Sequence, residues 1–222
     1  MAPSPAFKEA GHMRSGLENE TVIDLTDITR VRAALKGKAS DTDDDTLLGH
    51  LITLVSQDAM FKMNRAVEKK ERTEYHDVYS GHNSFFVLAS PIDTGETITV
   101  VHNTEKPRDW SDSADEVSSD YILFEGDYAE RGEIVIERSL TPAPNALKIT
   151  YTGGMGANTS AITGSQAYKS LVTAVTLQVA YLWQRRSTWG LTKQNVGDGQ
   201  ITWDGAITWR KWLEEIVRSY GR

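Results

Sequence analysis

Two groups of side chains in this sequence have the chemistry to bind a metal ion: the acidic run DTDDD at residues 41–45 and five scattered histidines. A calcium-binding EF-hand loop counted from Asp41 requires Gly at its sixth position and Glu at its twelfth, where this chain has Thr46 and Ile52. The histidines have no cysteine and no HExxH motif beside them, so zinc ligation is not indicated. The acidic run suits the first turn of a helix, where the helix dipole favours negative charge. We therefore expect neither a metal nor another cofactor.

The glycine-rich segment ALKITYTGGMG, residues 146–156, could end a strand at a phosphate-binding or nucleophile turn. It lacks the Lys-Ser/Thr of a Walker A loop, the spacing GxGxxG of a dinucleotide fold and the GxSxG of a nucleophile elbow. Ser160 and Ser165 have no nearby base in the sequence, since no histidine follows His102. The segment therefore predicts an architectural turn in which Gly153 and Gly154 supply positive φ angles, and we expect no enzymatic activity.

Tryptophan is concentrated near the C-terminus, where Trp203, Trp209 and Trp212 fall within ten residues. The last helix could fold back and cover its own core. Alternatively, a glycine-flanked arm could carry aromatic side chains to another subunit, since Trp and Tyr dominate interface hot spots. The segment KQNVGDGQ before these residues is predicted to be flexible, which favours the second interpretation. On that interpretation, deleting residues 195–222 leaves the core folded.

The elements that must position these residues follow from hydrophobic periodicity. Helices are predicted over residues 26–36, with Thr26 or Asp27 as N-cap, and over residues 42–67 and 165–187. The middle helix is expected to bury one broad face that includes Leu47, Leu48, Leu51, Ile52, Leu54, Val55, Ala59 and Met63. Residues 71–154 consist of about six short β-like runs separated by turn signals. The predicted fold class is α+β: a helical core with an inserted antiparallel β module.

The charge balance and the lack of cysteine exclude several functions. The chain has 24 Lys and Arg against 31 Asp and Glu, a net charge of −7, so tight binding to a phosphate backbone is not expected. With no cysteine there is no disulfide, no thiolate metal site and no Cys nucleophile. Charges interrupt every apolar stretch well short of the ~18 residues of a membrane span. Residues 1–20 are predicted to be a mobile arm without the apolar region of a secretory signal.

The order of four segments resembles the head–tail connector (adaptor, or head-completion) family of tailed bacteriophages. These segments are DDDTLLGHLITLVSQDA, SDYILFEGDYAERGEIVIE, LKITYTGG and the terminal GDGQITW…LEEIVRSYGR. The resemblance covers residues 26–222 and depends on the order of the segments rather than on one diagnostic motif. Two features depart from the family: the β region is longer than in compact adaptors, and TSAITGSQ replaces the usual proline before the last long helix.

The resemblance implies a non-enzymatic virion protein in the neck between capsid and tail, assembled in the host cytoplasm. It implies a ring of about twelve copies beneath the portal, which extends the DNA channel and provides a platform for the stopper or tail-terminator protein. DNA would pass through without sequence-specific binding, and no membrane is involved. The core would span residues 21–190, and residues 191–222 would form a C-terminal arm with a short docking helix.

The same resemblance implies roles for two sets of residues. Docking to the portal or to a neighbouring subunit would use the apolar residues of the arm: Trp203, Trp209, Trp212, Leu213, Ile216, Val217 and Tyr220. The candidates to face the channel are the acidic residues Asp41, Asp43, Asp44 and Asp45.

The alternative from another class is a β-sandwich module that binds glycans or a receptor, with helical decoration and with Tyr75, Tyr79 and Trp110 as sugar platforms.

Overall fold

The structure is a computed structural model. It describes residues 20–35, 44–106, 108–111, 115–185, 193–196, 199–202 and 209–221, of which 193–196 and 199–202 are described as backbone only. Residues 1–19 of the predicted N-terminal arm, Asp41, Asp43 and Trp203 lie outside the described residues.

Helices and antiparallel strands together confirm the α+β class. The helices of the described residues are α1 (Ile28–Ala34), α2 (Asp45–Met63), α3 (Asp127–Arg131), α4 (Thr159–Gly164), α5 (Lys169–Gln184) and α6 (Lys211–Ser219). The strands are β1 (Lys70–Val78), β2 (Ser84–Phe86), β3 (Thr99–His102), β4 (Ile122–Leu123), β5 (Glu133–Ile136), β6 (Ala143–Gly153), β7 (Lys193–Val196) and β8 (Gly199–Thr202). None of the helices in the described ranges has the length and apolar character needed to cross a bilayer.

The chain divides into two compact units. The helical unit consists of residues 22–63 and 158–222, and the β unit consists of residues 64–157 with the chain before residue 22. The β unit is therefore an insertion between the two halves of the helical unit.

In the helical unit, α5 is central and packs against α1, α2 and α6. Asp27 is the N-cap of α1 and accepts a hydrogen bond from the Arg30 N–H at 2.9 Å, which satisfies a helix-terminal donor. The side chains of Thr26 and Thr176 hydrogen-bond at 2.6 Å and join the start of α1 to the buried face of α5. The two halves of the unit are thus linked across residues far apart in the sequence.

Gly49 lies inside α2, and a Cβ added there would meet no heavy atom within 4 Å. We expect Gly49→Ala to raise the free energy of unfolding by about 0.5–1 kcal/mol, because alanine has less backbone freedom to lose in a helix. The measurement is the urea midpoint of the variant against the parent chain. A lower midpoint for Gly49→Ala would contradict the packing described for this turn of α2.

The β unit contains two three-stranded antiparallel sheets with the orders β1-β6-β3 and β2-β5-β4. β6 pairs with β1 from Lys70↔Gly153 to Val78↔Ala143, and a register shift follows His76. β7 and β8 form a separate antiparallel hairpin that ends at Val196↔Gly199. The segment predicted to be a flexible linker therefore has regular strand pairing, which corrects that prediction.

The end of β6 explains the glycine pair. Gly154 has a φ of +128°, and a Cβ there would lie 2.4 Å from the carbonyl oxygen of Glu68. A Cβ on Gly153 would lie 2.5 Å from the carbonyl oxygen of Ala89. The prediction of a positive φ is confirmed for Gly154 and wrong for Gly153, which is the last residue of strand β6. Both close approaches are to main-chain atoms, so the glycines are required by backbone packing within the β unit.

A mostly buried carboxylate, Glu74, joins β1 to β6 and to the segment after β2. It accepts hydrogen bonds from the Tyr151 hydroxyl and from the Leu88 N–H at 2.9 Å, and its Oε2 lies 3.6 Å from His76 Nε2. Burial raises the pKa of Glu74, but the contacts with His76, Tyr151 and Leu88 together hold it below the usual value. Burial and the Glu74 charge raise the pKa of Tyr151 well above its usual value, so the hydroxyl remains a donor. Tyr151 in turn accepts a hydrogen bond from the Ala89 N–H at 2.9 Å.

A second ion pair attaches the segment before the helical unit to β1. Arg72 donates to Glu20 Oε2 at 2.7 Å and to the carbonyl oxygens of Glu68 and Gly153 at 2.8 and 3.1 Å. Burial raises the pKa of Glu20, and the hydrogen bonds from Arg72 and Lys70 outweigh this effect and lower it. Through Arg72, Glu20 is therefore linked to the end of β6 at which the glycine pair lies.

Candidate interaction surfaces

The terminal helix α6, which carries most of the predicted docking residues, packs against other helices of the helical unit. Leu213 and Val217, four residues apart, are fully buried where α6 packs against α2 and α5. Trp209, just before α6, is buried and donates its indole N–H to Asp58. The apolar surface of these three side chains is covered within the helical unit, and their role in docking stays a prediction.

The remaining docking candidates are arranged differently. Trp212 is exposed, with 49% of its surface accessible. Ile216 and Tyr220 are half-buried, and the Tyr220 hydroxyl donates to the carbonyl oxygen of Ala167 at 3.1 Å. The structure therefore does not bring the predicted residues together on one exposed face, and docking stays a prediction chiefly for Trp212.

One ion pair joins α6 to α2, and a second lies within α6. Glu214 Oε1 lies 3.1 Å from Lys62 Nζ on α2 and 2.9 Å from Arg218 Nη2. The hydrogen bonds from Arg218 and Lys62 lower the pKa of Glu214. Deleting residues 195–222 would uncover the apolar surface that Leu213 and Val217 occupy, so the truncated chain is expected to lose stability, and whether its core stays folded remains a prediction.

The acidic candidates for the channel are only partly described. Asp45, the first residue of α2, forms an ion pair with Arg32 of α1. Asp44 is half-buried, and Asp41 and Asp43 lie outside the described residues. The carboxylate of Asp45 therefore joins two helices of its own unit, and which of the acidic residues face a channel stays a prediction.

A line of apolar side chains on the solvent side of α2 was missed by the sequence analysis. Leu47 and Leu54 are 45% and 49% exposed, and Phe61 is partly exposed. The spacing of seven residues keeps them within about 40° of each other around the helix, because each heptad drifts by only ~20°. Leu47 and Leu54 were expected on the buried face, and that expectation is wrong. We call Leu47, Leu54 and Phe61 the α2 outer stripe.

Two of the three proposed sugar-platform residues lie together on the β unit. The rings of Tyr75 and Trp110 are 5.3 Å apart and inclined at 58°, and the Arg108 guanidinium lies 6.0 Å from the Trp110 ring. Tyr79 is exposed and donates to Asp77 Oδ2 at 3.1 Å. The inclined pair and the separate tyrosine do not form one continuous aromatic platform.

No cluster of three or more His, Asp or Glu side chains that could hold a metal ion occurs among the residues that the structure describes.

Comparison with known proteins places the fold. No family model and no curated protein matches the chain. Among solved structures, a chain in the neck of an empty gene transfer agent (GTA) particle, computed with C6 symmetry, matches with a TM-score of 0.54 and 15% identity. The match covers 91% of this chain and 94% of that one. A chain in the virion of a native GTA particle matches with a TM-score of 0.51 and 16% identity, over 87% of each chain.

Identities this low show the fold alone. The present chain shares the fold of a protein from a virion neck over nearly its whole length, and both the helical unit and the inserted β unit are needed for that coverage. The resemblance to neck proteins that the order of sequence segments indicated is thereby confirmed as a fold.

Proposed function

We propose that this protein is a structural subunit of a virion neck, a head–tail connector that assembles into a ring beneath the portal. The ring extends the DNA channel and provides the platform for the stopper or tail-terminator protein. The fold shared over 91% of this chain with a protein of a GTA neck carries the proposal. No catalytic activity belongs to this role, and the location is the neck of a virion assembled in the host cytoplasm.

A ring requires each subunit to present two different surfaces to its neighbours. The neck that contains the similar fold was computed with C6 symmetry, which fits a ring whose copy number is a multiple of six, including the expected number of about twelve. A channel lined by acidic side chains would not retain DNA through its phosphates, and the net charge of −7 is compatible with such a lining.

The α2 outer stripe supports the oligomeric part of the proposal. Its three side chains lie about 100–140° around α2 from Leu48, Val55 and Ala59, which are buried in the helical unit. A helix with apolar residues on both sides is typical of one that packs against its own core and also against a partner. We assign the stripe to the contact with a neighbouring copy in the ring.

Assembly of the purified chain tests this assignment. We expect the parent chain to form rings, alone or on a purified portal ring, in mass photometry and negative-stain images. Leu47→Glu and Leu54→Glu are expected to reduce the fraction in rings at least 10-fold, because each places a charge in an apolar contact. Thr46→Glu is the matched control, since it adds the same charge at the exposed neighbouring position.

The results separate the parts of the proposal. A chain that stays monomeric with and without portal, at concentrations at which other neck proteins assemble, would overturn the ring. Rings that form equally well with Leu54→Glu and Thr46→Glu would leave the ring in place and remove the α2 outer stripe from its contact. The fold match over 91% of the chain to a protein of a neck favours the connector over the alternative, a β-sandwich binding module with helical decoration.

A further inference from the structure

An exposed apolar surface lies on the edge strand β4 of the β unit. β4 pairs only with β5 in its sheet. Tyr121, the last residue of the short 3₁₀ helix Ser119–Tyr121 before β4, and Leu123, the second residue of this two-residue strand, are 46% and 38% exposed, while Ile122 between them is buried. Exposed edge strands with large apolar side chains are sites at which another chain binds unless they are protected.

The charges around this strand are predominantly negative. Asp120, Glu125, Asp127 and Glu130 are exposed, and none of them takes part in the salt bridges found among the described residues. Two cations lie near this segment: Arg131 is bound by Glu133 at 2.9 Å and lies over the Tyr128 ring, and the exposed Arg138 follows the part of β5 that pairs with β4. We call the surface formed by Asp120, Tyr121, Leu123, Glu125, Asp127 and Glu130 the acidic β4 face.

A surface of the opposite charge lies where α5 ends and α6 begins. The guanidinium groups of Arg210 and Arg185 lie 4.4 Å and 5.1 Å from the centre of the Tyr181 ring. Arg210, Lys211 and Trp212 are exposed, and within the described chain no salt bridge involves Arg210 or Lys211. We call Tyr181, Arg185, Arg210, Lys211 and Trp212 the basic α6 start.

We propose that the acidic β4 face of one copy binds the basic α6 start of a second copy, and that this head-to-tail contact closes the ring. The inference rests on the proposed ring and names one of its contacts. The two surfaces have opposite charge, and each offers large exposed apolar side chains: Tyr121 and Leu123 on one, Trp212 on the other. Arg, Trp and Tyr are the residue types that contribute most to interface hot spots.

The two surfaces differ from each other, and every copy has both of them. A contact between unlike surfaces repeats around a rotation axis, as a closed ring requires, whereas a contact between like surfaces would stop at a dimer. Complementary charge also orients the approaching subunits and disfavours the wrong pairing of two acidic or two basic surfaces. A nucleic acid could bind the basic α6 start instead of a second copy, so binding of a DNA duplex is measured as well.

Charge exchange tests the pairing. Variant A carries Glu125→Lys, Asp127→Lys and Glu130→Lys; variant B carries Arg210→Glu and Lys211→Glu. Each variant alone is expected to form at least 10-fold fewer rings in mass photometry, because both of its contact surfaces then have the same sign. An equimolar mixture is expected to recover rings in which A and B alternate, since every contact in such a ring again joins opposite charges.

The control for variant A carries Glu71→Lys, Glu96→Lys and Glu105→Lys, three exposed acidic positions elsewhere in the β unit. It is expected to assemble like the parent chain. Circular dichroism and thermal unfolding of all variants establish that they are folded. If variant A or B proves unfolded, the single changes Glu130→Lys and Lys211→Glu repeat the test with a smaller expected loss.

Each outcome bears on a particular statement. Recovery of rings in the mixture supports the pairing. Parent rings with no loss in A and B, or loss without recovery in the mixture, would overturn it and leave the proposed function intact. If variant B loses binding to a 30-base-pair DNA duplex while its rings form normally, the basic α6 start is a nucleic-acid surface and the pairing is wrong. A parent chain that forms no ring defeats the proposed function itself.

Discussion

Replacing Gly154 by alanine is expected to lower the free energy of unfolding by about 2–6 kcal/mol, as the sum of backbone strain and overpacking. The φ of +128° is unfavourable for any residue with a Cβ, and that Cβ would lie 2.4 Å from the Glu68 carbonyl oxygen and 2.7 Å from the Lys69 nitrogen. Neither atom can move easily, because the Lys69 N–H is hydrogen-bonded to the Gly156 carbonyl oxygen at 2.9 Å.

The measurement is urea unfolding followed by circular dichroism and by tryptophan fluorescence. Gly95→Ala is the matched control: its added Cβ would meet only Asp93 Oδ1, at an ordinary 3.5 Å, so a change within about 0.5 kcal/mol is expected. Equal midpoints for the two alanine variants would show that the turn after β6 relaxes freely, contrary to the close packing described here.

Replacing Glu74 by glutamine is expected to cost about 1–3 kcal/mol, because the new amide group cannot accept all the hydrogen bonds that converge on the carboxylate. The Leu88 N–H now donates to both carboxylate oxygens, at 2.9 and 3.2 Å. Glu71→Gln on the same strand is the control, since Glu71 is exposed and the same substitution there is expected to change stability by less than about 0.5 kcal/mol.

The Glu74 carboxylate also predicts a pH dependence. Its pKa in the folded chain is lower than its usual value, so folding favours the ionised form. This contribution to stability is fully present above the pKa of an unfolded glutamate, about 4.3, and is lost as the pH falls through the lower folded value. Unfolding midpoints measured between pH 6 and pH 3 are therefore expected to fall less steeply for Glu74→Gln than for Glu71→Gln. Parallel curves would assign the acid sensitivity to other carboxylates.

Much of the fold was predictable because local signals agree with it. Hydrophobic period and turn residues indicated the long helices and the strands of the inserted β unit. Asp27, one of two predicted N-caps, does cap α1. The glycine pair was correctly interpreted as architecture, since the backbone at Gly153 and Gly154 leaves no space for a side chain.

The surfaces were less predictable. The sequence shows which residues are apolar, but it does not show which of them are covered by another part of the fold. Leu47 and Leu54 were counted in the same periodic set as Leu48 and Val55, although one residue of offset turns a side chain about 100° around a helix. Their spacing of seven, continued at Phe61, was the available signal for a second apolar side. Trp209, Leu213 and Val217 likewise match both a docking arm and a helix that covers its own core, and their burial within the helical unit could be seen only in the packed structure.

The insertion of the β unit between the two halves of the helical unit has a consequence for synthesis on the ribosome. Residues 64–157 are complete while α2 still lacks α5 and α6, the helices that cover its apolar side. Contacts as distant in sequence as Lys62 with Glu214 form only after Glu214 has been translated. A nascent or prematurely terminated chain therefore lacks both the finished helical unit and the basic α6 start, so under the proposed pairing only fully translated copies are able to join a growing ring.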